Sequence, residues 1–432
     1  MAFRQPGVSS LSANFTWTLV GNGIYSGGQW AVLVLLAKMT SPEVVGQYAL
    51  GLAIVLPVLM FTNLQLRWIV TADVGEQRHF GDYLSFRLAS TAFALLVIFA
   101  IVLLFGYKAQ LGAVILLAGL AQAIEAVSDV YHARLQLWDR MDRISKSMMM
   151  RTALSVLGLG IAVYVTRSLV FGLLAVVLAR MAVLLGYDMR RGTHDLRYEK
   201  GGGTNRALRP RWQVEVQREL LWLSLPLGLI AVLVSLNSSI PRYFIEHALG
   251  ERALGIFSAI VFLYSAGTMA VVSLGQSAFT RLAKLYAEED LTGFRLLLAK
   301  LLTMGTILGV CGLLVVEAAG RPILTILFRP EYADYADLLP WVMGAACITY
   351  LAQFLGFGMT AAKSYTPQVY LFLLTNLCAG LASGWLIPRL GLLGAVLALF
   401  LSAVVQLIGS AVILQREIRK RVEVNAGDAA PA

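Results

Sequence analysis

The chain has 432 residues, of which 58% are hydrophobic and 14% charged, and its mean hydropathy is +0.73. Soluble domains carry roughly 25% charged and about 45–50% apolar residues, so this composition excludes a water-soluble globule. The formal net charge of +10 would suggest nucleic acid in a soluble protein, but its placement between apolar blocks gives it another meaning.

A membrane-crossing helix needs about 20 apolar residues to span roughly 30 Å of hydrocarbon. In chain order, blocks of that kind predict twelve transmembrane helices at 15–37, 44–66, 84–106, 111–132, 148–166, 169–187, 220–243, 254–276, 296–317, 337–360, 368–387 and 391–414. The blocks are continuously apolar and lack the ten-residue alternation of barrel strands, so the expected fold class is an all-α polytopic membrane protein. The first block is longer than the 7–15 apolar residues of a signal peptide and reads as a retained helix. Cys311, Cys347 and Cys378 all lie inside apolar blocks, which excludes a disulfide framework.

With a cytoplasmic amino terminus, 27 of the 35 Lys and Arg residues fall on the inner side. The positive-inside rule then places both termini in the cytoplasm and explains the basic balance without nucleic acid. The expected organisation is an N-terminal lobe at 1–187, a cytoplasmic linker at 188–219 containing Gly201-Gly202-Gly203-Thr204, a C-terminal lobe at 220–414 and a cytoplasmic tail at 415–432. A weak self-match supports two halves: Pro42 to Tyr48 resembles Glu251 to Phe257, with Gly46 and Gly255 separated by 209 residues. Six helices per half return the chain to the same side. The lobes are therefore expected to be related by a pseudo-two-fold axis along the membrane normal, with a cavity on that axis.

Polar residues inside membrane spans are costly and mark functional candidates. Asn22, Tyr25, Ser26 and Gln29 share one face of helix one, and Ser235, Ser238, Ser239, Arg242 and Glu246 form a similar stripe on helix seven. The alternative is helix packing through Gly21, Gly23, Gly27 and Gly28. Arg180 falls near mid-depth of helix six and is the only cation the helix assignment places there. Glu125 and Asp129 sit at i and i+4 on helix four with His132 three residues on, a pair suited to H⁺ or Na⁺ coupling or to a fixed salt bridge with Arg180. Arg242 and Glu246 are also spaced to pair with each other. No metal-ligand set, catalytic set or cofactor site is expected.

The residues also support a family resemblance. Lys38 to Arg67 (KMTSPEVVGQYALGLAIVLPVLMFTNLQLR), Ile240 to Leu285, Ile326 to Pro340 (ILFRPEYADYADLLP) and Ile387 to Ala398 (IPRLGLLGAVLA) resemble the polysaccharide-lipid flippases, or O-antigen (Wzx-type) translocases, of the MOP exporter superfamily. The resemblance implies alternating access in a bacterial inner membrane. It implies transfer of undecaprenyl pyrophosphate-linked oligosaccharide to the periplasmic leaflet for O-antigen, exopolysaccharide or capsule synthesis, beside a glycan polymerase or export machinery. On this reading the head group passes Arg67, Arg87, Arg134 and Arg281, meets Arg180 and leaves past Arg242, with Tyr25, Trp30 and Tyr243 available to stack on sugars. The alternatives are a cation-coupled multidrug exporter of the same superfamily and, from another class, a membrane glycan polymerase or acyltransferase.

Overall fold

The computed structural model describes residues 11–72, 78–190 and 210–428. Arg4, the glycine triplet and most of the expected linker lie outside the described residues. Among the described residues the chain is α-helical with no strand, and eleven helical stretches are long and apolar enough to cross a membrane. The longest, Val214–Ala287, is divided by Gly250 at φ 83°, ψ 177°, a conformation open mainly to glycine. Counting its two parts separately gives twelve spans, as expected.

The chain folds as two compact units, Met1–Ser235 and Leu236–Ala432. The first contains α1 (Leu11–Met39), α2 (Pro42–Asn63), α3 (Leu66–Ala72), α4 (Phe80–Leu104), α5 (Ala109–Leu137), α6 (Met141–Thr166) and α7 (Leu169–Val183), which continues into a π-helical turn, Leu184–Asp188. α8 (214–249) starts in this unit and runs on into the second, which holds α9 (251–287), α10 (Leu291–Leu327), α11 (Pro330–Ala333), α12 (Leu339–Ala361), α13 (Tyr365–Leu390) and α14 (Leu392–Asp428).

Local chemistry sets the helix ends. Pro42 opens α2, where a missing N–H costs nothing, and Asp82 closes a capping box onto the His79 backbone N–H at 3.1 Å. The Asp290 carboxylate accepts from the Gly293 N–H at 2.8 Å to start α10. α10 continues ten residues past its expected end at 317, through a distortion at Ala319. Pro322 explains that distortion: it lacks an N–H and its ring crowds the preceding turn.

α5 is the central helix of the first unit and packs against α2, α3, α4, α6 and α7. α1 lies on α6 through two glycines. A Cβ on Gly21 would sit 2.9 Å from the Ser145 Cα, and Gly28 faces Thr152, whereas Gly23 and Gly27 have open space beside them. Small residues thus allow close approach on one stripe only. At the loop end of this unit, Leu66, Ile69, Tyr83, Phe86, Val130 and Leu220 form an apolar cluster.

The segment leading into α8 is fastened to the start of α4. The Arg211 N–H donates to the Gly81 carbonyl at 3.0 Å, Ser85 Oγ donates to the Arg211 carbonyl, and Gln217 Nε2 donates to Ser85 Oγ at 2.8 Å. An Arg78–Glu219 ion pair lies beside them. In the second unit, α12 packs against α10, α13 and α14, and the Tyr350 hydroxyl donates to the Tyr264 carbonyl of α9 at 2.8 Å. Cys311, Cys347 and Cys378 are all free thiols.

Candidate functional site

Residues Glu125, Asp129, His132 and Gln136 recur every three or four positions along α5, so one face of the central helix is a column of polar groups. Glu125, Asp129 and His132 each find a different partner, and Gln136 shares that of Asp129. The Glu125 carboxylate lies 2.7 Å from Arg180 Nη1 of α7 and accepts a 2.6 Å hydrogen bond from the Tyr25 hydroxyl of α1. Arg151 of α6 approaches the same carboxylate at 4.0 Å. Arg180 Nη1 also donates to the Ala121 carbonyl at 2.9 Å and to Gln122 Oε1 at 2.8 Å. Of the two arrangements left open for Arg180, the structure shows the pair with Glu125.

Asp129 instead pairs with Arg67 at 3.0 Å, and Arg67 Nε donates to Gln136 Oε1 at 2.9 Å. One turn further, His132 Nε2 is 3.1 Å from Ser147 Oγ and 3.5 Å from the Asp188 carboxylate. Glu125 and Asp129 therefore belong to separate ion pairs and do not form one shared acidic site.

Beside the two arginines a cavity of about 40 Å³ is lined by Tyr25, Gln29, Tyr48, Gln122, Arg151 and Arg180, among others. A buried water needs about 10–15 Å³, so this space accepts a few waters and is too small for a sugar. Arg151 and Arg180 are only 4% and 8% exposed. Two guanidiniums thus share one carboxylate. The Nε and Nη1 groups of Arg151 are buried without a hydrogen-bond partner among the described residues. An unpaired buried donor is costly, so this unit holds unsatisfied positive charge beside a polar cavity.

The remaining expected residues divide by position. Gln29 lines the cavity, Asn22 is exposed on α1, and Arg242 lies in the second unit. Arg242 makes no ion pair with Glu246, and its Nε is buried without a hydrogen-bond partner among the described residues. Two arginines expected along the approach path are placed otherwise. Arg87 is 2% exposed and donates to Asn63 Oδ1 at 2.7 Å, while Arg134 stacks over the rings of Phe80 and Trp138 at 4.7 and 4.6 Å. Aromatic faces hold the Arg134 cation, while the Arg87 Nε is buried without a hydrogen-bond partner among the described residues.

Sequence reasoning missed Arg151 and Asp188. Arg151 was counted with the inner-loop charges because helix five was expected to start at 148; α6 starts at Met141 and carries Arg151 well inside. Asp188 was assigned to the linker. The π turn absorbs one extra residue, so Asp188 takes roughly the angular position that residue 187 would have in an unbroken α-helix, which is the face of Arg180.

Comparison with known proteins adds four findings. Residues 11–286 match a family described as polysaccharide biosynthesis protein. The chain is 26% identical over 395 residues to the capsular polysaccharide biosynthesis protein CapF of Staphylococcus aureus, covering 91% of this chain and 97% of that protein. Its fold is similar to an inward-facing multidrug resistance MATE family transporter of the MOP superfamily, with TM-score 0.70, 12% identity and coverage of 96% and 100%. A MOP superfamily transporter from Pyrococcus furiosus gives TM-score 0.60 at 13% identity and 95% coverage of each chain.

Proposed function

The chain belongs to the polysaccharide biosynthesis protein family, and on that premise we propose that it is a flippase. It moves polyprenyl pyrophosphate-linked oligosaccharide from the cytoplasmic to the periplasmic leaflet of a bacterial inner membrane, with both termini cytoplasmic. The observation that carries this reading is the pair of buried arginines, Arg151 and Arg180, sharing the single carboxylate of Glu125.

A diphosphate cannot cross hydrocarbon unaided, and guanidinium is suited to it because its planar fork donates in pairs and keeps its charge. As found, the cavity is too small for a sugar, and Arg180 is committed to Glu125. Substrate must therefore compete with Glu125 for the arginines. Protonating Glu125 removes that competitor, so a proton and the anionic head group bind cooperatively, each raising the other's affinity. This gives Glu125 a coupling role. Asp129, neutralised by Arg67, is the second coupling candidate. Arg67, Arg242, Asn22, Gln29 and Tyr25 are proposed to contact the head group along its path.

The multidrug reading predicts the opposite electrostatics. A cationic drug needs exposed negative charge, and here Glu125 is outnumbered by the guanidiniums around it. The test is the leaflet distribution of lipid-linked glycan in cells depleted of the protein, read with a membrane-impermeant probe on right-side-out and inverted vesicles. The expected result is accumulation on the cytoplasmic face, relieved by wild-type protein and not by Arg180→Glu. A normal distribution, or full rescue by Arg180→Glu, would overturn the proposal.

A further inference from the structure

The second unit carries a larger cavity, distinct from the polar one. α10, α12 and α14 enclose a groove of about 690 Å³, within the range of about 300–1,000 Å³ common for small-molecule sites. Its walls are aliphatic: Leu298 and Leu302 from α10, Leu351 and Leu355 from α12, Leu407 and Leu414 from α14. Gly358 of α12 faces Leu298 and Leu414, where an added Cβ would come within 3.5 Å of both. The flanking residues Leu296, Ile307, Ile408 and Val412 are exposed. Exposed aliphatic rims on both sides suit a groove that faces hydrocarbon.

The charged groups of the groove are Arg295, near the start of α10, and Arg419, late in α14. Of the basic residues nearby, Lys420 pairs with Glu417 and Arg421 with Glu289, while Arg416 and Lys300 lie outside the groove lining and have no acidic partner among the described residues. Arg295 and Arg419 have no acidic partner among the described residues. Thr306, a polar group on the wall, donates to the Leu302 carbonyl of its own helix and offers little to a polar ligand. A long apolar trough with two unneutralised guanidiniums at its charged end matches an amphiphile with an anionic head and a hydrocarbon tail.

We propose that this groove holds an anionic phospholipid, its phosphate bridging Arg295 and Arg419 and an acyl chain lying along the leucine wall. Arginine binds phosphate oxygens in pairs, and basic residues near a membrane surface attract anionic lipid. Besides the two arginines, Thr306 and Gln415 are the polar side chains of the lining, few for a glycan-bearing head group. The inference rests on the membrane-spanning fold and not on the flippase reading.

The test is native mass spectrometry of the full-length protein, titrated with phosphatidylglycerol or phosphatidylcholine of identical acyl chains. Phosphatidylglycerol should bind about tenfold or more tightly than phosphatidylcholine, and Arg295→Glu/Arg419→Glu should lower that affinity by a similar factor. Lys284→Glu, a basic-to-acidic control outside the groove, should change nothing. Gly358→Leu should weaken both lipids by filling the floor. Equal affinity for the two lipids, or unaltered phosphatidylglycerol binding by a double variant that melts like wild type, would overturn the proposal. So would displacement of phosphatidylglycerol by substoichiometric undecaprenyl diphosphate, which would assign the groove to that lipid instead.

Discussion

Neutralising Glu125 leaves Arg151 and Arg180 facing a buried cavity with no anion between them. Breaking a buried ion pair in this way costs about 3–5 kcal/mol. Glu125→Gln is therefore expected to lower the melting temperature of purified protein, and inorganic pyrophosphate should restore part of the loss while leaving wild type nearly unchanged. Absence of that selective rescue would show that the arginines do not accept an exogenous diphosphate. The His132–Asp188 contact makes a separate claim. Asp188 is wholly buried with His132 and Ser147 beside it, so a double-mutant cycle with His132→Ala and Asp188→Asn should give a coupling of about 1–3 kcal/mol in thermal unfolding. A coupling near zero would mean that the two side chains act independently. At this scale the sequence revealed which residues were costly to bury but not their pairings. The i, i+4 spacing of Glu125 and Asp129 suggested a joint site, yet partners from α3, α6 and α7 separate them. Tertiary neighbours of that kind leave no local trace in the chain.

Among the elements, α1 shows how two readings of one helix can both be partly right. Its glycines were weighed as a packing stripe against a polar stripe facing a cavity. Gly21 and Gly28 pack on α6, while Tyr25 and Gln29 line the cavity. Gly28→Leu is therefore expected to push α1 off α6 and cost more than 1–3 kcal/mol, the usual range for overpacking. Gly23→Ala and Gly27→Ala should stay within about 0.5 kcal/mol of wild type. Similar losses at all three positions would contradict the packing described. The helices themselves were legible because continuous apolar blocks leave few alternatives in lipid. Their ends were less so. α6, α8, α9, α10 and α14 each extend beyond the apolar block, since a helix continues into water wherever its residues tolerate helical geometry. The 209-residue offset between Gly46 and Gly255 also separates two helix starts, Pro42 of α2 and Glu251 of α9.

For the molecule as a whole, the charge distribution makes a topology that can be checked. Single cysteines at exposed Lys108 and Arg167, in a background lacking the native three, should react with an impermeant thiol reagent from outside the cell. Cysteines at Asp139 and Glu289 should react only in inverted vesicles. The reverse pattern would turn the protein over and reverse the direction proposed for transport. The fastening of residues 210–219 to α4 bears on where the chain can be cut. Asp188, before the undescribed stretch, and Arg211, after it, are both held by the first unit. The described residues on either side of 191–209 are thus held by one body, while covalent continuity between the units runs through α8 at Ser235 and Leu236. A gene split at Gly202 should consequently yield two polypeptides that reassemble without a peptide bond, guided by Ser85, Gln217 and the Arg78–Glu219 pair, whereas a break at Leu236 would sever a helix and leave its two halves to find each other unaided.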